Sequence, residues 1–269
     1  MSQTSPAVRC RTAFISDIHL GTKGCQAELL LEFIRELECE TLYLVGDIVD
    51  GWKMKSGWHW PQAHNDVVQK FLRMARKGVR VVYVPGNHDD RIRDFCGVHF
   101  GGVVVARDAI HEAADGRRYL VTHGDEFDAV IQHAKWLAIL GDWSYRALIV
   151  LNTQLGRVRR TMGLGYWSLS AYLKHKVKNA VAFIDRFEDA MADEARRRGV
   201  HGVICGHIHH AEMRDIGGVA YINDGDWVES CTAVIERHDG VFELVRWLDM
   251  RKTSSLAVPP LKVGDAIAA

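Results

Sequence analysis

Five short clusters of polar residues, each directly after an apolar run, constrain the fold of this 269-residue chain most. The clusters are Asp17-x-His19, Gly46-Asp47-x-x-Asp50, Gly86-Asn87-His88-Asp89, His123-Gly124-Asp125 and Gly206-His207-x-His209. The runs before them, at 12–16, 42–45, 79–84, 119–122 and 203–205, are short and rich in Val, Ile and Tyr, which is typical of buried strands. In an open α/β sheet, ligands bind beyond the carboxyl ends of the strands. We therefore expect the five clusters to converge on one site.

Stretches of helical periodicity separate these runs. They lie at 26–38, 66–77 and 181–198, and Gly78 and Gly199 are placed to end the second and third. A turn at Gly240 followed by an alternating run at 242–247 predicts a closing hairpin, and a loose tail is expected from Lys252 onward. The pattern predicts an α/β layered fold over one domain, residues 1–269.

One segment differs from the rest in charge. Residues 143–184 contain no Asp or Glu but seven basic residues, interleaved with Trp and Tyr. We expect a mostly helical insertion, placed at 130–184, between the fourth and fifth strands. Three interpretations stay open: a lid that docks on an anionic membrane leaflet, an ordinary solvated lid with core aromatics, and a surface for single-stranded nucleic acid.

Composition narrows the class of protein. Lys and Arg together number 34, as do Asp and Glu, so no global field favours nucleic acid. The six cysteines form no C-x-x-C pair, which disfavours a cysteine zinc site. No apolar run approaches the roughly 20 residues that span a bilayer, and the first 11 residues lack an apolar core. We expect a cytoplasmic protein, with peripheral contact at the inner membrane left open.

The clusters supply oxygen and nitrogen ligands and no thiolate. Such a set suits Mn²⁺, Fe or Zn²⁺, and Mn²⁺ is favoured here. Seven candidate ligands exceed what one tetrahedral ion takes, but they would serve two divalent ions about 3.5–4 Å apart that share a carboxylate. A pair of ions of this kind activates water and stabilises charge on a phosphoryl group.

The five clusters, in this order, resemble the calcineurin-like metallophosphoesterases over residues 14–209. The resemblance implies a four-layer α/β/β/α sandwich with a helical lid insertion. It implies that Asp47 bridges two ions, one held by Asp17, His19 and His209 and the other by Asn87, His123 and His207. It also implies that His88 acts near the scissile ester, with Asp50 orienting it and Asn87 orienting the phosphoryl group.

Within that family, Gly51-Trp52 stands where the phosphatase branch has Arg-Gly. Length, Trp52, the His123-Gly124-Asp125 motif and the insertion are instead similar to the bacterial UDP-2,3-diacylglucosamine diphosphatases of lipid A synthesis, whose best-known members have Arg where this chain has His88. That branch implies a nucleotide-linked lipid substrate, in which the insertion covers the acyl chains. The candidate substrate-binding residues are Trp52, Arg157, Arg159, Arg160 and Trp167.

Alternatives remain at this stage. A soluble nucleotidase or cyclic-nucleotide phosphodiesterase would share the fold, and a non-catalytic binding module would keep the site as a scaffold. Residues 223–227, Asn-Asp-Gly-Asp-Trp, either approach the site or form an ordinary turn, and the turn is favoured. Histidines such as His64 and His111 fit no ligand spacing, and most of this group is expected to be exposed.

Overall fold

The central strands of the structure have side chains that are buried on both faces. The structure is a computed structural model, and it describes residues 8–130 and 169–256. The strands are β1 (Val8–Arg9), β2 (Thr12–Ile15), β3 (Leu37–Glu38), β4 (Thr41–Val45), β5 (Arg80–Val84), β6 (His99–Phe100), β7 (Val103–Val105), β8 (Ala109–Glu112), β9 (Arg118–Val121), β10 (Gly202–Cys205), β11 (Glu212–Ile216), β12 (Val219–Asn223), β13 (Thr232–Glu236) and β14 (Phe242–Arg246). The α-helices are α1 (Ala27–Glu36), α2 (Gly51–Ser56), α3 (Gln62–Arg76), α4 (Leu169–Arg197) and α5 (Trp247–Leu256), and 3₁₀-helices span Asp90–Phe95 and Asp125–Val130.

The described strands form two large sheets. One has the order β14-β13-β2-β4-β5-β7-β6, with β2, β4, β5 and β7 parallel, and the other has the order β11-β12-β10-β9-β8, with β9, β10 and β12 parallel. Strands β1 and β3 pair separately. Because parallel strands end at the same edge, the loops after β2, β4 and β5 lie together, as do those after β9, β10 and β12.

Three apolar clusters hold four layers together. Between the sheets, side chains such as Phe14 and Tyr43 meet side chains such as Ile204 from the smaller sheet. The opposite face of the larger sheet packs against α1 and α3, and the opposite face of the smaller sheet packs against α4 through Phe187 and Met191. This arrangement of helix, sheet, sheet and helix confirms the predicted α/β/β/α sandwich.

The predicted strands all form, within one or two residues of the expected bounds, and β13 and β14 make the closing hairpin. The helices differ more. Helix α1 ends at Glu36, and the expected loose tail from Lys252 is wrong as far as Leu256 because α5 continues to that residue. Helix α4 is already present at Leu169, the first described residue after the gap and twelve residues before the predicted start, so the end of the 130–184 insertion is helical. The rest of the insertion, 131–168, lies outside the described residues.

Two histidines depart from the expected exposure. His64 is 2% exposed and accepts a hydrogen bond from the Gly21 amide, at 3.0 Å. His111 is 5% exposed and lies 2.9 Å from the buried carboxylate of Glu236, so it serves the core between the sheets. In the described ranges, no helix combines the length and hydrophobicity needed to cross a membrane.

Candidate metal centre

The loops after β2 and β4 keep the parallel pairing of their strands. The amides of Asp17, His19 and Leu20 donate to the carbonyls of Gly46, Asp47 and Ile48, at 3.0, 2.9 and 2.9 Å. These backbone hydrogen bonds alone fix the spacing between the Asp17-x-His19 motif and Asp47.

Left-handed backbone is concentrated at the site. Six described residues other than glycine have a positive φ, between 48° and 72°. Five of them are predicted metal ligands, namely Asp17, His19, Asp47, His207 and His209. This conformation is uncommon for residues with a Cβ, and it persists where the surrounding fold imposes it, which is typical of functional sites.

Gly86 lets two loops approach closely. A Cβ at this position would lie 2.3 Å from Asp47 Oδ1 and 2.6 Å from His123 Cδ2. The glycine of the Gly86-Asn87-His88 cluster therefore leaves room for the Asp47 and His123 side chains.

Side chains from the loops after β2 and β10 form a first group. His209 Nε2 lies 3.0 Å from Asp17 Oδ1, and His19 Nε2 lies 3.7 Å from the same oxygen. The two histidine nitrogens are 3.3 Å apart. These ligand atoms all lie within 4.8 Å of one another, which is close enough for a single ion to bind all three side chains.

Asp47 lies between this group and His123. Its Oδ2 is 3.8 Å from His19 Nε2 and 3.5 Å from His123 Nε2. Asp17, Asp47 and His123 form a second group within 4.8 Å. The ring of His207 lies 5.1 Å from that of His123, and the amide of His207 donates to Asp17 Oδ2 at 2.8 Å.

His88 lies beside His19 and Asp47, with its ring 4.7 Å from that of His19. Its Nε2 is 3.8 Å from Asp47 Oδ2, and its Nδ1 is 3.0 Å from Asp50 Oδ2. The same oxygen of Asp50 lies 3.3 Å from Nδ1 of His19. The ring of Trp52 lies against His88, with centroids 4.4 Å apart. The structure thus brings His88, Asp50 and Trp52 together beside the candidate ligands.

The carboxylates and histidines stabilise one another's charges. Burial lowers the pKa of His19, but Asp17, Asp50 and Asp47 outweigh that effect and raise it to about 10. Burial likewise opposes a raised pKa at His123, which the nearby Asp47 and Asp17 bring to about 10. Burial would raise the pKa of Asp17 and Asp47, yet His123 and its neighbours hold both below their ordinary range. Each carboxylate thus favours the charged form of the neighbouring imidazoles, and each imidazole favours the charged form of the carboxylates.

Buried polar atoms at the site that make no hydrogen bond within the described part of the chain include Asn87 Oδ1 and His123 Nε2. The Nδ1 of His123 donates to the Val45 carbonyl at 2.8 Å, which fixes the ring and directs Nε2 toward Asp47. A backbone acceptor on one imidazole nitrogen is the usual way to orient the other toward a metal. The residues present therefore fit divalent cations.

Some supporting residues have no role in the sequence-based prediction. Ser16 Oγ lies 2.6 Å from Asp17 Oδ2 and 2.5 Å from Asp224 Oδ1. Asp89 accepts hydrogen bonds from the Gly86 amide at 2.6 Å, from the Ile48 amide at 2.8 Å and from the Tyr83 hydroxyl. Nothing in the sequence marks Ser16 as part of the site, whereas Asp89 belongs to the Gly86-Asn87-His88-Asp89 cluster.

The segment 223–227 both turns and approaches the site. The carboxylate of Asp226 accepts hydrogen bonds from the amides of Val228, Glu229 and Ser230, as expected of a turn. Asp224 is fully buried and contacts Ser16 next to a candidate ligand. The candidate substrate residues Arg157, Arg159, Arg160 and Trp167 lie outside the described residues.

The fold and this cluster of ligands define a class. The chain belongs to the calcineurin-like phosphoesterase family, whose model matches residues 10–211. It is similar to two proteins named UDP-2,3-diacylglucosamine hydrolase. The one from Neisseria gonorrhoeae (strain ATCC 700825 / FA 1090) is 28% identical over 84% of this chain and 93% of its own. The other, from Neisseria meningitidis serogroup B (strain ATCC BAA-335 / MC58), is 26% identical with the same coverage.

Solved structures of similar fold include Yfce, a phosphoesterase from E. coli, with a TM-score of 0.43 and 15% identity over 87% of this chain and 98% of that one. The family match and the named relatives make this chain a metal-dependent phosphoester hydrolase.

Proposed function

We propose that this protein is a dinuclear-metal hydrolase that cleaves a pyrophosphate or phosphoester bond in UDP-2,3-diacylglucosamine or a related nucleotide-linked lipid precursor. The observation that carries the dinuclear centre is the position of Asp47, whose Oδ2 lies within 3.8 Å of nitrogens from His19 and from His123. One carboxylate between two histidine groups is the arrangement that two ions with a shared ligand require.

Each ion would have its own set of side chains. Asp17, His19 and His209 would hold the first ion and Asn87, His123 and His207 the second, with Asp47 shared. Mn²⁺ is the proposed metal because the set contains carboxylate, amide and imidazole ligands and no thiolate. When bound, such ions activate water for attack on phosphorus and neutralise the charge that gathers there.

His88 would act on the leaving oxygen. Oδ2 of Asp50 lies 3.0 Å from Nδ1 of His88 and would hold the ring with Nε2 toward the centre, 3.8 Å from Asp47 Oδ2. Donation from Nε2 to the departing oxygen is general acid catalysis, and the amide of Asn87 would orient the phosphoryl group.

The proposed substrate is supported by the names of the relatives and by Trp52. The relatives act, by name, on UDP-2,3-diacylglucosamine, and they match over 84% of this chain. Trp52 is 46% exposed beside His88, so it offers an aromatic face next to the candidate catalytic group. The insertion would cover the acyl chains, at the inner membrane surface.

A substrate panel tests the proposed substrate. With Mn²⁺ added, we expect hydrolysis of a UDP-linked diacylated sugar to exceed that of nucleotides, cyclic nucleotides and p-nitrophenyl esters in kcat/KM. A preference for nucleotides or cyclic nucleotides would instead indicate a soluble nucleotidase or phosphodiesterase. Absence of turnover with every compound, with metal bound, would indicate the non-catalytic binding module.

The substitution Asp47→Ala tests the shared ligand. It removes the negative charge between two cations about 4 Å apart, so their repulsion is less compensated. Activity should fall by several orders of magnitude, and metal analysis should give fewer than two ions per chain. Asp66→Ala, on the surface of α3, is the matched control and should leave both unchanged. Two bound ions with near-normal turnover in the Asp47 variant would exclude the bridging role.

A further inference from the structure

An aromatic and basic surface begins next to the candidate site. We define the α2 segment as residues 51–60, Gly-Trp-Lys-Met-Lys-Ser-Gly-Trp-His-Trp. It contains no Asp or Glu, and the next acidic residue is Asp66. Lys53 and Lys55 are exposed, and Trp58 is 74% exposed. Trp52 is 46% exposed as well, so two indoles and two cations of one ten-residue segment are exposed, and exposed apolar surface of this kind marks interaction sites.

The fold holds this segment at both ends. At its start, Asp50 Oδ1 accepts from the Lys53 amide at 2.7 Å, and the Gly51 amide donates to the His88 carbonyl at 2.9 Å. At its end, Trp60 packs against the apolar core beside α1 and α3, with its ring 5.5 Å from that of the buried His64. The exposed position of the tryptophan two residues earlier is therefore a consequence of how the segment is anchored.

The ring of Trp58 lies 6.0 Å from that of Trp60, which supports it from the protein side. Trp60 is partly buried and Trp58 is exposed, so the pair extends from the apolar core to the surface. Tryptophan is favoured where an apolar body meets a polar boundary, and lysine extends a charged amine from an apolar stem. Together these side chains match the headgroup region of a bilayer that contains anionic lipids.

We propose that the α2 segment is a docking surface for an anionic lipid bilayer, with Trp58 entering the interfacial region and Lys55 contacting anionic headgroups. The chain's own insertion is a poorer occupant by charge. Residues 143–184 carry seven cations and no acid, so they would repel the lysines of the segment.

The α2 segment lies next to the catalytic side chains, so docking it on a bilayer would bring the active site to the lipid. This role of the segment rests on the proposed function. A helix of six residues is about 9 Å long, so Trp58 lies near the catalytic side chains. Trp52, in the first turn, already contacts His88, with ring centroids 4.4 Å apart. A phosphate linked to a lipid would reach the site while its acyl chains remained in or near the bilayer.

Vesicle binding by the full chain tests the surface without any substrate. The measurement is co-sedimentation with vesicles of phosphatidylcholine alone and of equimolar phosphatidylcholine and phosphatidylglycerol, at low and high salt. We expect binding to the anionic vesicles at low salt. Lys55→Gln should weaken it about five-fold, since one basic residue near the leaflet contributes that much. Trp58→Ser should weaken it about tenfold, since the indole loses its apolar contact.

Two matched controls remove comparable side chains elsewhere. Phe100→Ser removes another aromatic ring, 69% exposed, and Lys77→Gln removes a cation just beyond the far end of α3. Both should bind as wild type does. All four variants should hydrolyse a p-nitrophenyl ester at the wild-type rate, because none of these side chains belongs to the candidate centre.

Several results would overturn the surface. Wild-type protein that ignores anionic vesicles would do so, as would equal losses in Phe100→Ser and Trp58→Ser. A Trp58→Ser variant that binds vesicles normally but melts at a lower temperature would place the insertion over the indole. A wild-type oligomer that Trp58→Ser dissociates would place a second copy of the chain there. If the vesicle results hold but only soluble nucleotides are hydrolysed, the proposed substrate fails and the surface stands.

Discussion

The two oxygens of Asp50 have different partners. Oδ1 caps helix α2 through the Lys53 amide, at 2.7 Å, whereas Oδ2 lies 3.0 Å from His88 and 3.3 Å from His19. Burial would raise the pKa of Asp50, but its contacts with His19 and His88 hold the pKa well below the usual range. Asp50 is therefore an anion that fixes a helix start and two imidazole rings at once.

Substitution of His88 distinguishes an acid from a metal ligand. If His88 protonates the leaving oxygen, His88→Ala should lower kcat by about 10²–10⁴ while the number of bound ions stays the same. A p-nitrophenolate leaving group needs less protonation, so its loss should be smaller than that of a poor leaving group. The measurement is kcat for esters of graded leaving-group pKa, together with metal content.

Loss of one ion in the His88 variant would favour a ligand role instead, because His19, Asp47 and His88 also lie within 4.8 Å of one another. Equal losses for good and poor leaving groups would favour a positioning role. His99→Ala, which changes an exposed histidine of β6, is the control and should affect neither quantity.

At the scale of elements, apolar runs predicted the strands well, because a strand that is buried on both faces needs apolar side chains at successive positions. The run at 42–45, for example, is β4 almost unchanged. Helix ends were harder. Helix α4 includes a basic stretch before residue 181, and α5 extends through Lys252, so helix continues where apolar periodicity stops. Apolar periodicity marks the part of a helix that has a buried face. Where a helix continues without a buried face, the sequence shows no such periodicity.

The order of apolar runs and polar clusters along the chain also predicted that the clusters meet, because the ends of parallel strands lie at one edge of a sheet. It did not predict the contacts that support them. Ser16 and Asp224 are 208 residues apart and meet only because β2 and β12 belong to facing sheets. Asp89 connects the loops after β4 and β5 through hydrogen bonds to Ile48 and Gly86. Such contacts depend on how loops pack, which residue spacing does not encode.

At the scale of the whole molecule, the candidate centre couples stability to pH. In the metal-free fold the pKa of His19 and of His123 is about 10, against an ordinary value of about 6.5. A raised pKa means that the folded state binds the proton more tightly than the unfolded chain. The stability that protonation of these two histidines contributes is therefore complete below about pH 6.5 and is lost as pH rises through about 10.

The carboxylates act in the opposite direction. The pKa values of Asp17 and Asp47 are lowered, so their contribution is present above about pH 4 and is lost as pH falls through the folded-state values. The metal-free protein should therefore be most stable between about pH 4 and about pH 6.5. Divalent ions require neutral imidazole, so binding them displaces the protons of His19 and His123.

Urea unfolding of chelator-treated and Mn²⁺-loaded protein, from about pH 6.5 to about pH 10, measures this coupling. The metal-free stability should fall across that range, and the loaded protein should lose less, because its histidines hold ions instead of protons. Calorimetric titration with Mn²⁺ near pH 7.5, in two buffers of different ionisation enthalpy, should show proton release of about one to two per chain. A metal-free stability that stays level to about pH 10, with no proton release, would show that His19 and His123 are neutral before metal binds and that the carboxylates are balanced by other charges.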